Sequence, residues 1–111
     1  MKTKEFMVFK IKADFLKALA HPARLQIIEY LKDSEASAGR LTQELDLEQS
    51  SLSRHLAILR DLGVLESRHE KTSVFYRLSD HDIFKVLRPI AELLRKKLRR
   101  SEKLLESLGK E

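Results

Sequence analysis

The chain has 111 residues, 42% hydrophobic and 35% charged, with three Gly and two Pro. That profile fits one folded domain and excludes low-complexity or collagen-like chains. It contains no Cys, which excludes disulfides, thiolate metal sites, cysteine nucleophiles and thiol redox sensing.

Twenty-two Lys and Arg against seventeen Asp and Glu give a net charge of +5, a weak pointer to a polyanionic partner. The excess is local. Residues 85–111 hold nine bases and four acids, whereas residues 1–84 hold thirteen of each. No apolar run approaches the ~20 residues of a membrane span, and Met1–Lys10 lacks a signal-peptide core, so a soluble cytoplasmic protein is expected.

Apolar residues at Phe6, Phe9, Ala13, Leu16 and Ala20 predict a helix over 5–20. Met7, Val8, Ile11 and Phe15 lie off that stripe, so this helix needs two apolar partners, its own core and a second chain. His21-Pro22 ends it, because the residue before proline avoids helical geometry. Pro22 suits the first turn of a second helix over about 22–33 with Leu25, Ile28 and Leu31 inward. Asp33–Ser37 reads as a polar link, and Ser37 as the cap of a third helix, 38–45, burying Leu41 and Leu45.

After Asp46-Leu47-Glu48 a fourth helix is predicted over about 49–62, with Leu52, Leu56 and Leu59 inward; Gly63 terminates it. Val64–His69 and Ser73–Leu78 read as strands around Glu70-Lys71-Thr72, with Val74, Tyr76 and Leu78 alternating on one face. A last helix, about 80–108, would span ~43 Å if straight; Pro89 inside it removes one backbone donor and is expected to kink or split it.

Two short helices joined by three residues, the second followed by a hairpin, describe a winged helix–turn–helix. The fold expected is mainly α with a small β-hairpin, α1-α2-α3-α4-β-β-α5, one domain over 1–111. Residues 38–62 form the helix–turn–helix and 64–78 the wing. At about 100° per residue, Leu52, Leu56 and Leu59 fall within about 60° on the fourth helix. The opposite side carries Ser50, Ser51, Arg54, Ala57, Ile58 and Asp61. Its N-terminal half is small and polar with one Arg, as entry into a major groove requires. Ser hydroxyls donate or accept, Gln49 can bond an adenine edge, and Arg54 can fork onto guanine or a phosphate.

The stretch LTQELDLEQSSLSRHLAILRDLGVLESRHEKTSVFYRLSD (Leu41–Asp80), preceded by ALAHPARLQIIEYL (Ala18–Leu31), resembles the ArsR/SmtB family of prokaryotic repressors over essentially the whole chain. The resemblance implies a homodimer packed through the first and last helices (5–20 and 80–108), repression through an imperfect inverted repeat of double-stranded DNA, and release by an inducer. It implies base and adjoining phosphate contacts from Gln49, Ser50, Ser51, Ser53 and Arg54. His55 matches the motif too, but its helical position is nearer the core and favours packing or the phosphate side. Arg68, His69 and Lys71 occupy the wing, where the family grips backbone or minor groove. Two positions depart from the pattern: the wing tip lacks Gly and carries Glu70, which would repel phosphate, and the turn has Asp46 where Gly or Asn is usual.

Sensing by thiols, persulfides or arsenicals is excluded with the cysteines. The family's metal site on the last helix would start at Asp80, His81 and Asp82, but its later partners fall near Leu93 and Lys96, which cannot bind a cation. His81 is then a helix-start surface residue, His21, His55 and His69 are dispersed in sequence, and no metal or cofactor is expected. An organic ligand, a protein partner, a covalent change elsewhere, or no inducer remain open.

The dimer seam is expected from Phe6, Phe9 and Leu16 with Ile83, Leu87, Ile90, Leu94 and Leu98; Leu105 and Leu108 extend its spacing. The bases of the last helix either solvate its outer face or touch flanking DNA or an acidic partner. Because residues 40–77 hold six bases and six acids, a winged-helix protein–protein interaction module, antitoxin-like or an assembly protein, is the alternative function. No paired-carboxylate pocket, phosphate-cradling loop or nucleophilic arrangement points to an enzyme.

Overall fold

In a computed structural model, residues 2–109 are described, and they divide into two compact units, one ending at Asp80 and the other beginning at His81. The first unit opens with α1 (Thr3–Leu19), whose C-terminal end alone is anchored. Leu19 is buried and Phe15 and Ala18 half-buried, while Phe6, Met7, Val8, Phe9, Ile11 and Leu16 are exposed. His21 then caps α2 (Pro22–Tyr30), its Nδ1 accepting from the Ala23 N–H at 3.1 Å, with Pro22 in the first turn.

The α2 helix is rotated from the expected face. Leu25 points outward, 40% exposed, and Ala23, Ile27, Ile28 and Leu31 are buried. Positions 23, 27, 28 and 31 share one arc of about 140°, and residue 25 falls outside it. The helix also ends at Tyr30, earlier than residue 33, with Leu31 as its C-cap.

The segment read as a polar link contains a strand. β1 (Ala36–Ser37) pairs antiparallel with β3 (Ser73–Leu78), Ala36 opposite Tyr76 and Ser37 opposite Phe75. β3 also pairs antiparallel with β2 (Leu65–Glu70), giving a three-stranded sheet of order β1-β3-β2. Two residues cannot show a period, so only the ladder reveals β1.

Ser37 then caps α3 (Ala38–Leu45), its hydroxyl accepting from the Arg40 N–H at 3.1 Å. Asp46 ends α3 in the left-handed region, φ 52° and ψ 50°, as the short turn demands. The next helix, α4 (Gln49–Asp61), ends in a Schellman motif: Gly63 has φ 84°, its N–H reaches the Arg60 carbonyl, and the Val64 N–H reaches that of Leu59. Leu41, Leu52, Leu56, Leu59, Val64, Leu65 and Leu78 join the α2 residues in the core.

The second unit is a 3-10 turn, His81–Ile83, followed by α5 (Phe84–Gly109). α5 runs through Pro89 as one continuous helix. The proline lies in its second turn, where one missing donor removes a single bond, to the Lys85 carbonyl. Within the unit, Lys85 pairs with Asp82 at 3.2 Å, and the Arg88 guanidinium lies 5.7 Å from the Phe84 ring centroid. No helix among the described residues is long and apolar enough to cross a membrane.

Candidate nucleic-acid interface

α4 presents two unlike faces. Leu52, His55, Leu56 and Leu59 are buried, which fixes the helix by its inner side and leaves Gln49, Ser50, Ser53 and Arg54 exposed, with Ser51 half-buried. These residues crowd the first turns of the helix, where the unpaired backbone N–H groups and the positive end of the helix dipole lie. Small side chains there let the helix end approach a surface closely, and the mixture of hydroxyl, amide and guanidinium supplies donors and acceptors suited to base edges and phosphates.

His55 is turned away from that face. It is 3% exposed, and its Nδ1 accepts from Nε of Arg24 at 3.1 Å. Arg24 in turn donates through Nη1 to the Ala18 carbonyl at 2.7 Å, tying the end of α1 to α4. The His21 ring lies 4.3 Å from that of His55, centroid to centroid, at 50°. Burial, with the nearby charges of His21, Arg24 and Arg54, pushes the His55 imidazole below its ordinary value. His55 thus packs behind the exposed face of α4 rather than on it, and two histidines far apart in sequence meet. Among the described residues, no three His, Asp or Glu groups come together as metal ligands.

The wing tip is a two-residue turn, Lys71-Thr72, closed by the Glu70–Ser73 pair. Lys71 takes φ 56°, the left-handed conformation that Gly adopts more easily, and both His69 and Lys71 are exposed. Arg68 is different: its guanidinium is bound to Glu35 and Glu70 and stacked on Phe75. Glu35 was invisible to any local pattern, lying 33 positions from Arg68.

Of the seam residues, Phe6, Phe9, Leu16, Ile90, Leu94 and Leu98 are exposed, Leu87 is half-buried and Ile83 is buried.

The family described as bacterial regulatory protein, arsR family, matches residues 21–67, which run from the α2 cap into β2. Over 102 residues the chain is 36% identical to an uncharacterized HTH-type transcriptional regulator of Mycobacterium tuberculosis, Rv0081, covering 91% of this chain and 90% of that protein. The chain belongs to the ArsR family. The crystal structure of Rv0081 superimposes with a TM-score of 0.76, covering 84% of this chain and 94% of that one. Two further relatives match 68 residues, 61% of this chain. The biofilm growth-associated repressor of Agrobacterium fabrum is 44% identical, with 58% of its length covered. The transcriptional activator HlyU of Vibrio cholerae is 48% identical, with 63% covered. As an ArsR-family protein the chain is a DNA-binding transcriptional regulator and not an enzyme, and the interaction-module alternative is not favoured.

Proposed function

We propose that the chain is a cytoplasmic, homodimeric repressor that reads an imperfect inverted repeat. In this reading residues 1–111 act as one winged helix–turn–helix module, and no metal or cofactor takes part. The observation that carries it is the split of α4 between a buried apolar face and an exposed start bearing Gln49, Ser50, Ser53 and Arg54. A rigid helix presenting short polar side chains at its N-terminal end is the form in which a major groove is read. His69 and Lys71 at the wing tip supply the adjoining backbone contacts.

Homodimerisation is supported by the exposed Phe6, Phe9 and Leu16 of α1 and Ile90, Leu94 and Leu98 of α5, more apolar surface than an isolated chain of this size keeps in water. Two copies related by a two-fold axis meet two half-sites of a palindrome. Repression accords with the resemblance to the Agrobacterium repressor; an inducer, where one acts, is an organic ligand or a protein.

A duplex enriched from a randomised pool by the wild-type protein tests the reading. Arg54→Ala and Ser51→Ala should each weaken that duplex by about 1–3 kcal/mol while barely changing random DNA. Equal losses on both duplexes would remove base reading from α4. Loss of transcription from a reporter carrying the enriched site, when the protein is expressed, is the expected sign of repression.

A further inference from the structure

Arg68 is held on three sides. Its Nε and Nη2 donate to Oε2 and Oε1 of Glu35 at 3.0 and 2.5 Å, the planar fork that fits a carboxylate. Its Nη1 donates to Oε2 of Glu70 at 2.7 Å. The Phe75 ring fixes the plane from below, its centroid 4.5 Å from Cζ. Two carboxylates on one guanidinium leave the cluster with a net negative charge. The neighbouring Glu66–Arg77 pair, at 2.8 Å, is neutral. Glu35, Arg68 and Phe75, with Glu66 and Arg77, line a cleft of only ≈ 110 Å³, too small for an organic ligand, so the cluster is a contact between the wing and the segment before β1 and not a pocket.

A phosphate and a carboxylate compete for the same guanidinium fork. While Glu35 occupies it, Arg68 cannot grip a DNA backbone, and Glu70 adds repulsion beside it. We propose that Glu35 and Glu70 are positioning residues that withhold Arg68 from DNA until the recognition helix is seated on a matching sequence. The proposal rests on the reading of the wing as a DNA-facing element.

The device suits a regulator whose reading surface is neutral. Binding to unmatched DNA is driven almost wholly by phosphate contacts, so one arginine withheld from each protomer lowers unmatched binding. On a matching site the base contacts hold the wing against the duplex, and the exchange of carboxylate for phosphate follows. The exchange is accessible because all three side chains are partly solvated, Glu35 at 35%, Arg68 at 48% and Glu70 at 57% exposure, where ion pairs are individually weak. The hydrogen bond from Arg68 holds the Glu35 carboxyl below its ordinary value, so the latch stays charged near neutral pH.

The test measures fluorescence anisotropy on a random-sequence duplex over a salt series, with the wild type, Arg68→Ala, the Glu35→Gln/Glu70→Gln double variant, and the triple variant combining all three. The double variant should bind more tightly, with its log affinity–log salt slope steeper by about 0.9 for each arginine released. Arg68→Ala alone should leave the wild-type slope unchanged, and the triple variant should return to it. On the duplex enriched by the wild type, the double variant should show a narrowed ratio of matched to random affinity.

Three results would each overturn the latch: a flattened slope in Arg68→Ala alone, a steep slope that persists in the triple variant, or no change in the double variant. The first means Arg68 already grips the backbone, and the second means the effect is bulk charge. A wild type with no salt-dependent binding to any duplex would instead remove the DNA-binding reading itself, and the latch with it. Equal melting temperatures across the four proteins would show that the wing is folded in each.

Discussion

His55 sits one position after Arg54 on α4, yet its ring is buried against His21 and takes a hydrogen bond from Arg24. Accepting at Nδ1 requires that nitrogen to be unprotonated, so the native state holds His55 neutral. Burial is the largest cause of its lowered pKa, followed by the charges of His21, Arg24 and Arg54. The linkage has one sign. A depressed folded pKa means the unfolded chain binds the proton more readily, so the stability His55 contributes is whole above the ordinary imidazole value of about 6.5 and is lost as pH falls through the lower folded value. Urea unfolding from neutral to mildly acidic pH should show this decline, and His55→Gln, which cannot titrate, should flatten it. Parallel slopes in the two proteins would remove His55 from the acid response. The same residue shows the limit of local pattern. Helical position placed it near the core, but neither Arg24 nor His21 could be foreseen, because both arrive through the packing of α2 on α4.

The elements that position α4 were legible because their ends are marked by residues with strong local chemistry. Ser37 supplies the hydroxyl at the start of α3, Asp46 tolerates the left-handed turn, and Gly63 closes the Schellman motif. What failed was register without such markers. Leu25, Ile28 and Leu31, at i, i+3 and i+6, mimic a face, whereas the core takes Ile27 and leaves Leu25 outside. β1 has only two residues and exists through its partner β3. The Arg68 contacts joined loop to strand across 33 positions and left no periodic trace. Asp46 offers the sharpest test at this scale, since its conformation sets the turn from α3 into α4. An ordinary L-residue pays ~1–2 kcal/mol to enter the left-handed region, whereas Asn is at ease there. Asp46→Ala should therefore lower stability by about 1 kcal/mol, and Asp46→Asn should be nearly neutral. Chemical denaturation with an unchanged denaturant slope checks both, and a neutral Ala would show that the turn is not held at that residue.

At the scale of the whole molecule, α5 carries information that composition alone hid. From the half-buried Leu87 onward, one face repeats at alternating spacings of four and three, continuing exposed through Ala91, Leu94, Leu98, Ser101, Leu105 and Leu108. That is a heptad seam with one polar position. At about 100° per residue the bases Lys85, Lys96, Arg99, Arg100 and Lys103 fall on the other side, and Arg88, Arg95 and Lys97 flank the seam. The charge excess thus lies on the back and flanks of a helix whose apolar front needs a partner, while residues 40–77, with six bases and six acids, are neutral. Leu98 lies mid-seam and is 64% exposed in the single chain. Covering a leucine stabilises by ~1.5–3 kcal/mol, and a two-fold seam covers two copies. Leu98→Glu should therefore weaken self-association by roughly a thousandfold, at about 1.4 kcal/mol per factor of ten, as measured by sedimentation equilibrium. The protomer should keep its helical circular dichroism, because the substituted side chain faces solvent. DNA binding should fall with dimerisation, since a monomer reaches only one half-site. A wild type that stays monomeric at micromolar concentration would remove the dimer, and a variant as dimeric as the wild type would place the subunit contact elsewhere than on this seam.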